Sequence, residues 1–141
     1  MTVNQISVFV ENKPGALAQI TAELSAGGVN VRALSIAETN EFGVLRFIAD
    51  NEIRAASVLR EAGHILSVNP VLAVVLKDEP GSFAETVNVL AAANIDVEYT
   101  YAFLTPRPGS ACMIFRVADN EAAERVLTKA GIKLASKEEL A

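Results

Sequence analysis

The chain repeats itself, and the repeat constrains its fold more than any other feature. Pro14-Gly15 returns 66 residues later as Pro80-Gly81. At that offset Leu17 meets Phe83, Leu24 meets Leu90, Gly28 meets Asn94, and Val29-Asn30-Val31 meets Ile95-Asp96-Val97. Farther on, Ile48–Glu52 answers Val117–Glu121 at an offset of 69. Val58-Leu59 and Ala62-Gly63 then answer Val126-Leu127 and Ala130-Gly131 at 68. The slip places a short insertion in the second copy's Thr105–Ser110 stretch, which holds two prolines and a glycine. A collinear series of this kind divides the chain into residues 1–69 and 70–141, each small enough to gain from packing on a neighbour.

Both copies read as the same order of elements. Ile6, Val8 and Val10 alternate as a strand does, and Val71–Leu76 is the second copy's counterpart. Pro14 and Pro80 are expected to open the first helices, where a missing N–H costs least. Leu17, Ile20 and Leu24 share one helical face, as do Phe83, Val87, Leu90 and Ala91. Gly27-Gly28 and Asn94 tolerate the left-handed backbone that ends a helix. Strands are predicted at Val29–Glu38 and Ile95–Leu104, with a bulge where the apolar phase changes between Ala33 and Leu34. Turns at Thr39–Gly43 and Thr105–Ser110 lead to strands Val44–Ala49 and Ala111–Val117. Asp50 or Asn51, and Asp119 or Asn120, suit the caps of second helices ending at Gly63 and Gly131. Short last strands are expected at Ile65–Val68 and Lys133–Ser136. The order is βαββαβ, a ferredoxin-like α+β unit with two helices on one face of an antiparallel sheet.

Composition removes several function classes. An apolar fraction of 51% and a charged fraction of 21% are those of a globular chain, not a disordered one. The longest stretch without a formal charge, Ala62–Leu76, is shorter than the roughly 18 apolar residues of a membrane helix. The first residues lack the basic start and apolar core of a signal peptide, so a cytoplasmic location and no membrane partner are expected. A net charge of −5 disfavours nucleic acid, whose binding rests on Lys and Arg against phosphate. Tyr99, Tyr101 and Phe103 then read as core and not as a base-stacking platform. Cys112 is the single cysteine and His64 the single histidine, so neither a disulfide nor a paired-ligand metal site is expected. No phosphate loop or nucleophile elbow appears, and neither a cofactor nor catalysis is implied.

What remains is the doubled Pro-Gly turn between first strand and first helix. Asn12-Lys13-Pro14-Gly15-Ala16-Leu17 puts backbone N–H groups at a helix start, where unpaired donors and aligned dipoles attract a carboxylate. Gly15 permits close approach to the backbone. Asn12 offers both a donor and an acceptor, which suits the orientation of a small zwitterion. An ordinary strand-to-helix turn would carry the same local chemistry.

Val10-Glu11-Asn12-Lys13-Pro14-Gly15-Ala16-Leu17, followed by Gly28-Val29-Asn30-Val31, resembles the ACT domain, an amino-acid-sensing regulatory module. Lys77-Asp78-Glu79-Pro80-Gly81-Ser82-Phe83, followed by Asn94-Ile95-Asp96-Val97, fits the same pattern. The resemblance implies two ACT units packed side by side through their second strands and first helices, as one antiparallel eight-stranded sheet. It implies a free L-amino acid at the seam. Asn12–Leu17 would face Asp96 and Val97, and Asp78, Glu79, Pro80, Gly81, Ser82 and Phe83 would face Asn30 and Val31. Val10 and Leu76 stand where the family often has a polar residue, and Asp78 and Asp96 replace asparagines, so the two seams differ. A non-catalytic sensor acting on a separate metabolic enzyme or transcriptional regulator is the implied function. The alternative is an interaction subunit that regulates an enzyme without binding a metabolite. Homodimers are common for such modules.

Overall fold

The computed structural model describes residues 1–38, 41–104 and 108–140. The turns expected at Thr39–Gly43 and Thr105–Ser110, and the insertion placed in the latter, lie partly outside these residues. The chain divides into two compact units, Asn4–Asn69 and Met1–Val3 with Pro70–Leu140.

In the first unit the elements are β1 (Val3–Glu11), α1 (Ala16–Ala26), β2 (Val31–Glu38), β3 (Phe42–Ala49) and α2 (Glu52–Glu61), followed by the start of β4 (Leu66–Lys77). β1 pairs antiparallel with β3 from Ile6 opposite Phe47 to Glu11 opposite Phe42. β2 pairs antiparallel with the other side of β3, and its register shifts between Val31 and Ala33. That shift is the bulge foreseen from the apolar phase, two residues earlier than expected. The Phe9 N–H donates to Ile65 O at 3.2 Å, which brings the approach to β4 alongside β1. Ile6, Val8 and Val10 face Ile20 and Leu24 of α1 and Leu59 of α2 in one buried cluster with Phe47. Each such side chain contributes about 1.5–3 kcal/mol by leaving water.

The second unit repeats this plan with the rest of β4, α3 (Ser82–Ala92), β5 (Tyr99–Ala102), β6 (Ser110–Arg116), α4 (Asn120–Lys129) and β7 (Lys133–Leu134), and adds a short α5 (Lys137–Leu140). β6 pairs antiparallel with β4 and with β5, while β7 lies on the other side of β4 at Val74 and Val75. Leu72, Val74 and Leu76 pack on Leu90 of α3, Leu127 of α4 and Phe115. Tyr101 and Phe103 are buried, as their alternation requires.

The local stops and caps follow from residue type. Gly28 and Asn94 both take the left-handed backbone, at φ 72° and 58°. Each is followed by a bond that closes the helix: Val29 N–H to Leu24 O and Ile95 N–H to Leu90 O, both 2.9 Å. Asn51 caps α2 by accepting from the Arg54 N–H at 3.0 Å, and Asp119 caps α4 by accepting from the Ala122 N–H at 3.1 Å.

Several expectations need correction. The described residues form seven strands and not eight, because the predicted Ile65–Val68 and Val71–Leu76 are one continuous element, β4. Proline holds the residue before it extended, so Asn69-Pro70 carries the strand onward across the expected break between the two strands. The strand expected over Ile95–Leu104 is regular only at Tyr99–Ala102. Ile95 and Val97 pack against the second core ahead of the regular ladder, and the Glu98 N–H donates to Arg116 O at 2.9 Å. The first helices begin after Gly15 and Gly81, not at the prolines. Among the described residues no helix is long and apolar enough to cross a membrane.

Candidate functional site

The Pro-Gly turns keep the same backbone in both units. Gly15 and Gly81 precede α1 and α3 at φ 87° and 92°, a left-handed conformation that favours glycine. Neither helix start receives a side-chain cap, in contrast with α2 and α4. The first donor of each helix is held inside the turn, the Ala16 N–H by Lys13 O and the Ser82 N–H by Glu79 O, both at 3.3 Å, and the donors that follow have no side-chain cap. The turns are tied back alike. The Lys13 N–H donates to Glu11 O at 2.9 Å and the Glu79 N–H to Lys77 O at 3.0 Å. The Asn12 N–H reaches Glu41 O at 3.2 Å, and the Asp78 N–H reaches Gly109 O at 3.1 Å.

Charge separates them. Lys13 Nζ lies 2.9 Å from Glu11 Oε2, and α1 has no acidic residue in its first turn. At the second turn the order is inverted. Lys77 stands at the strand end, Asp78 and Glu79 precede the helix, and Glu85 lies in the first turn of α3. Carboxylates beside a helix N-terminus interact with the same dipole that an anionic ligand would use.

The predicted residues gather in part. Asn12–Leu17 form one turn, with Leu17 exposed, and Asp78–Phe83 form its twin. Phe83 stacks on Phe115 with ring centroids 5.8 Å apart. Asn30 and Val31 lie past the far end of α1, about 16 Å from their own unit's turn for a helix of 11 residues. Asn30 is held there by Asp50: its N–H donates to Asp50 Oδ1 at 3.0 Å, and its carbonyl accepts from the Asp50 N–H at 2.9 Å. Asp96 is exposed and Val97 half-buried, just before β5. Within one unit, then, the turn and the start of the second strand stay apart. β2 has β3 as its described strand neighbour and β5 has β6, so each ends its own unit's strand order.

Behind each turn is a cavity that sequence reasoning missed. The first, of about 310 Å³, lies between the end of β1, the start of α1 and the segment after α2, and takes in Lys13, Gln19 and His64. The second, of about 390 Å³, occupies the matching place and takes in Val75, Glu79, Glu85, Thr86, Ser110 and Lys133. Phe9, Phe42 and Ile65 lie on the open sheet face instead, and a signal for them was present: Phe9 is out of phase with Ile6, Val8 and Val10, an aromatic residue on the strand face away from the helices. His64 is not idle either. Its Nε2 lies 2.6 Å from Glu23 Oε2, while Gln19 Nε2 donates to Glu23 Oε1 at 3.2 Å. Among the described residues no group of three His, Cys, Asp or Glu side chains could hold a metal ion. Burial, and then the negative charge of Glu139, push the Cys112 thiol up to about 11.

Comparisons with known proteins bear on the fold and the family. A crystal structure of a protein from Bacteroides thetaiotaomicron is 28% identical, covers 99% of this chain and 96% of its own, and superposes with a TM-score of 0.92. The ligand-free regulatory subunit of aspartate kinase from Thermus thermophilus is 18% identical over 90% of this chain and 91% of its own, with a TM-score of 0.66. The corresponding Thermus flavus subunit is 16% identical over 91% and 92%, with a TM-score of 0.63, and at these identities both show likeness of fold. No curated protein matches the chain. The sequence pattern of the ACT domain pair matches residues 1–141 in full. The chain belongs to the ACT domain pair family.

Proposed function

We propose that this protein is a non-catalytic regulatory module, cytoplasmic, whose two ACT units, 1–69 and 70–141, bind a free L-amino acid. The observation that carries the reading is the repeated, uncapped helix start behind a left-handed glycine, in a chain of this family. Within the Asn12–Leu17 turn the ligand carboxylate takes the Gly15 and Leu17 N–H groups, since those of Asn12, Lys13 and Ala16 are bonded within the chain, and Asp96 of the opposing unit takes its ammonium in a charge-assisted hydrogen bond. The second seam sets Asp78–Phe83 against Asn30 and Val31. Because a unit's own turn and second strand lie at opposite ends of its first helix, the two halves of each seam come from different ACT units. The edges of β2 and β5 pair across that contact, four strands from each side, as one eight-stranded antiparallel sheet. Pairing removes edges that would otherwise invite aggregation. The regulated partner is a separate metabolic enzyme or transcriptional regulator.

A thermal-shift panel of the twenty L-amino acids tests the reading. A ligand at 100 times its Kd adds about 2.7 kcal/mol by mass action, enough to move the melting temperature by several degrees. The D enantiomer of the active member should be silent. If no amino acid shifts the transition, the interaction-subunit reading replaces this one. Leu17, Leu34 and Ile36 favour that second reading, since all three are exposed apolar side chains on α1 and β2.

A further inference from the structure

We propose that the open sheet face of the first unit is an interface with a second copy of this chain, the two faces packing about a two-fold axis. Ile6, Val8 and Val10 turn one side of β1 to the helices, so Ser7, Phe9 and Glu11 lie on the side away from them. Register builds that side in rows across the sheet. Phe9 stands opposite Val44, Val44 stands opposite Ala37, and the Phe9 N–H bonds Ile65 O. One apolar row therefore runs from the approach to β4 through β1 and β3 to β2. Ile65 is 72% exposed and Phe9 58%, and Phe42, in the next row opposite Glu11, is 53% exposed. A contiguous apolar surface of this kind marks a place where another molecule docks.

Charge points to a second copy as the occupant. On one side of the apolar row lie Ser7, Arg46 and Ser35, and on the other Glu11 and Phe42. A two-fold axis laid along the apolar row sets each copy's Arg46 row over the other's Glu11 and Phe42. The Arg46 guanidinium then meets a carboxylate and an aromatic ring, twice by symmetry, whereas a face of one sign would repel its own copy. Glu11 has Lys13 as its neighbour at 2.9 Å, and both remain largely in water, so the carboxylate stays open to a further cation. Such pairs at the flanks set register, while the apolar row supplies most of the affinity. Faces stacked about 10 Å apart leave room that Phe9 and Ile65 fill from both sides. The second unit provides the contrast. Its matching row is Lys133, Val75, Cys112 and Phe103, joined by register and by the Phe103 N–H to Cys112 O. Lys133 puts a cation at the end of that row, and Phe103 is already buried. The contact therefore joins first unit to first unit, and an isologous contact closes at two copies.

The seam of the amino-acid reading uses strand edges and this contact uses a sheet face, so substitutions separate the two. Sedimentation of the full chain tests it with Phe9→Lys, Ile65→Lys, Arg46→Glu, Glu11→Arg, the Arg46→Glu/Glu11→Arg pair, and Leu34→Lys on β2. Phe9 and Ile65 are exposed, so both lysine variants should keep the parent's circular dichroism. Ile65→Lys places the residue that the second unit carries there, and it serves alone if Phe9→Lys does not fold. Each lysine variant should halve the sedimenting mass. Arg46→Glu and Glu11→Arg should each weaken association by about tenfold or more, since like charges then face each other twice. Combining the two should restore the parent's mass, because the exchange leaves every pair intact. A parent that sediments as a single chain overturns the proposal, as do lysine variants that keep the parent's mass. A combined variant no better than its two members removes the two-fold arrangement and overturns it too. A fall in mass confined to Leu34→Lys assigns association to the seam, which overturns this contact and leaves the sensor reading intact.

Discussion

The two units share a backbone and differ in the chemistry laid on it. Gly15 and Gly81 adopt nearly the same dihedrals, each followed by an uncapped helix. Yet Glu11 and Lys13 become Lys77 and Glu79, so the cation beside one helix start is an anion beside the other. The strand faces diverge in the same direction. Phe9 opposite Val44 stands open in the first unit, whereas Val75 opposite Cys112 is half-buried in the second. Duplication preserved what the fold requires and released what a ligand would read. The two ACT units of this chain therefore carry two unlike turns on one backbone.

The largest expected effect concerns the covered face. Cys112 holds the place that Val44 holds in the first unit, and its thiol is pushed up from 9.0 to about 11 by burial and by Glu139. Two units in pKa leave about a hundredfold less thiolate at pH 8 than an ordinary thiol has, and the thiolate is the reacting form. Alkylation of the native chain by iodoacetamide should be slower than that of the urea-unfolded chain by about that factor. The sign of the linkage follows. The unfolded thiol ionises first as pH rises, so the native state binds more protons between pH 9 and 11 and stability falls there. Cys112→Ser should lack that fall. Native alkylation as fast as the unfolded rate would mean that this face is as open in the second unit as in the first.

A smaller effect separates the two turns. Lys13→Glu gives the first turn the charge of the second, and Glu79→Lys does the reverse. A charge-assisted contact contributes about 1.5–3 kcal/mol, so Lys13→Glu should weaken binding of the amino acid identified by thermal shift by tenfold or more. Glu79→Lys should strengthen a second binding event, raising the calorimetric stoichiometry. Equal responses to the two substitutions would mean that the turns bind through backbone donors alone and that the charge inversion is silent.

Legibility from the sequence followed the range of the forces involved. The helix stops at Gly28 and Asn94 and the caps on α2 and α4 were readable because each is settled within a few residues. Asp50 was an equal candidate for the cap of α2 until its bonds to Asn30, 20 residues away, were seen. Continuity of β4 through Asn69-Pro70 was missed because proline reads as a break, although it equally suits an extended chain. The open apolar face was missed for a different reason. Phe9, Phe42 and Ile65 come from three separate segments, and their meeting depends on strand register, which no local pattern encodes. The turns themselves were legible because Pro-Gly occurs twice.

The smallest expected effect tests whether the backbones are as alike as the dihedrals indicate. A Cβ added at Gly15 or at Gly81 would meet nothing within 4 Å, so alanine at either position meets no steric barrier beyond its own backbone. What remains is the left-handed conformation, which costs an L-residue about 1–2 kcal/mol. Gly15→Ala and Gly81→Ala should therefore each lose about that much in urea unfolding, and the two losses should agree within about 0.5 kcal/mol. Asparagine tolerates this region better than alanine does, so Gly15→Asn and Gly81→Asn should recover part of the loss. A loss at one turn only would mean that its helix start relaxes to a different backbone in solution. The difference between the units would then lie in conformation and not in charge, and the inverted Glu11–Lys13 and Lys77–Glu79 pairs would be a consequence of it.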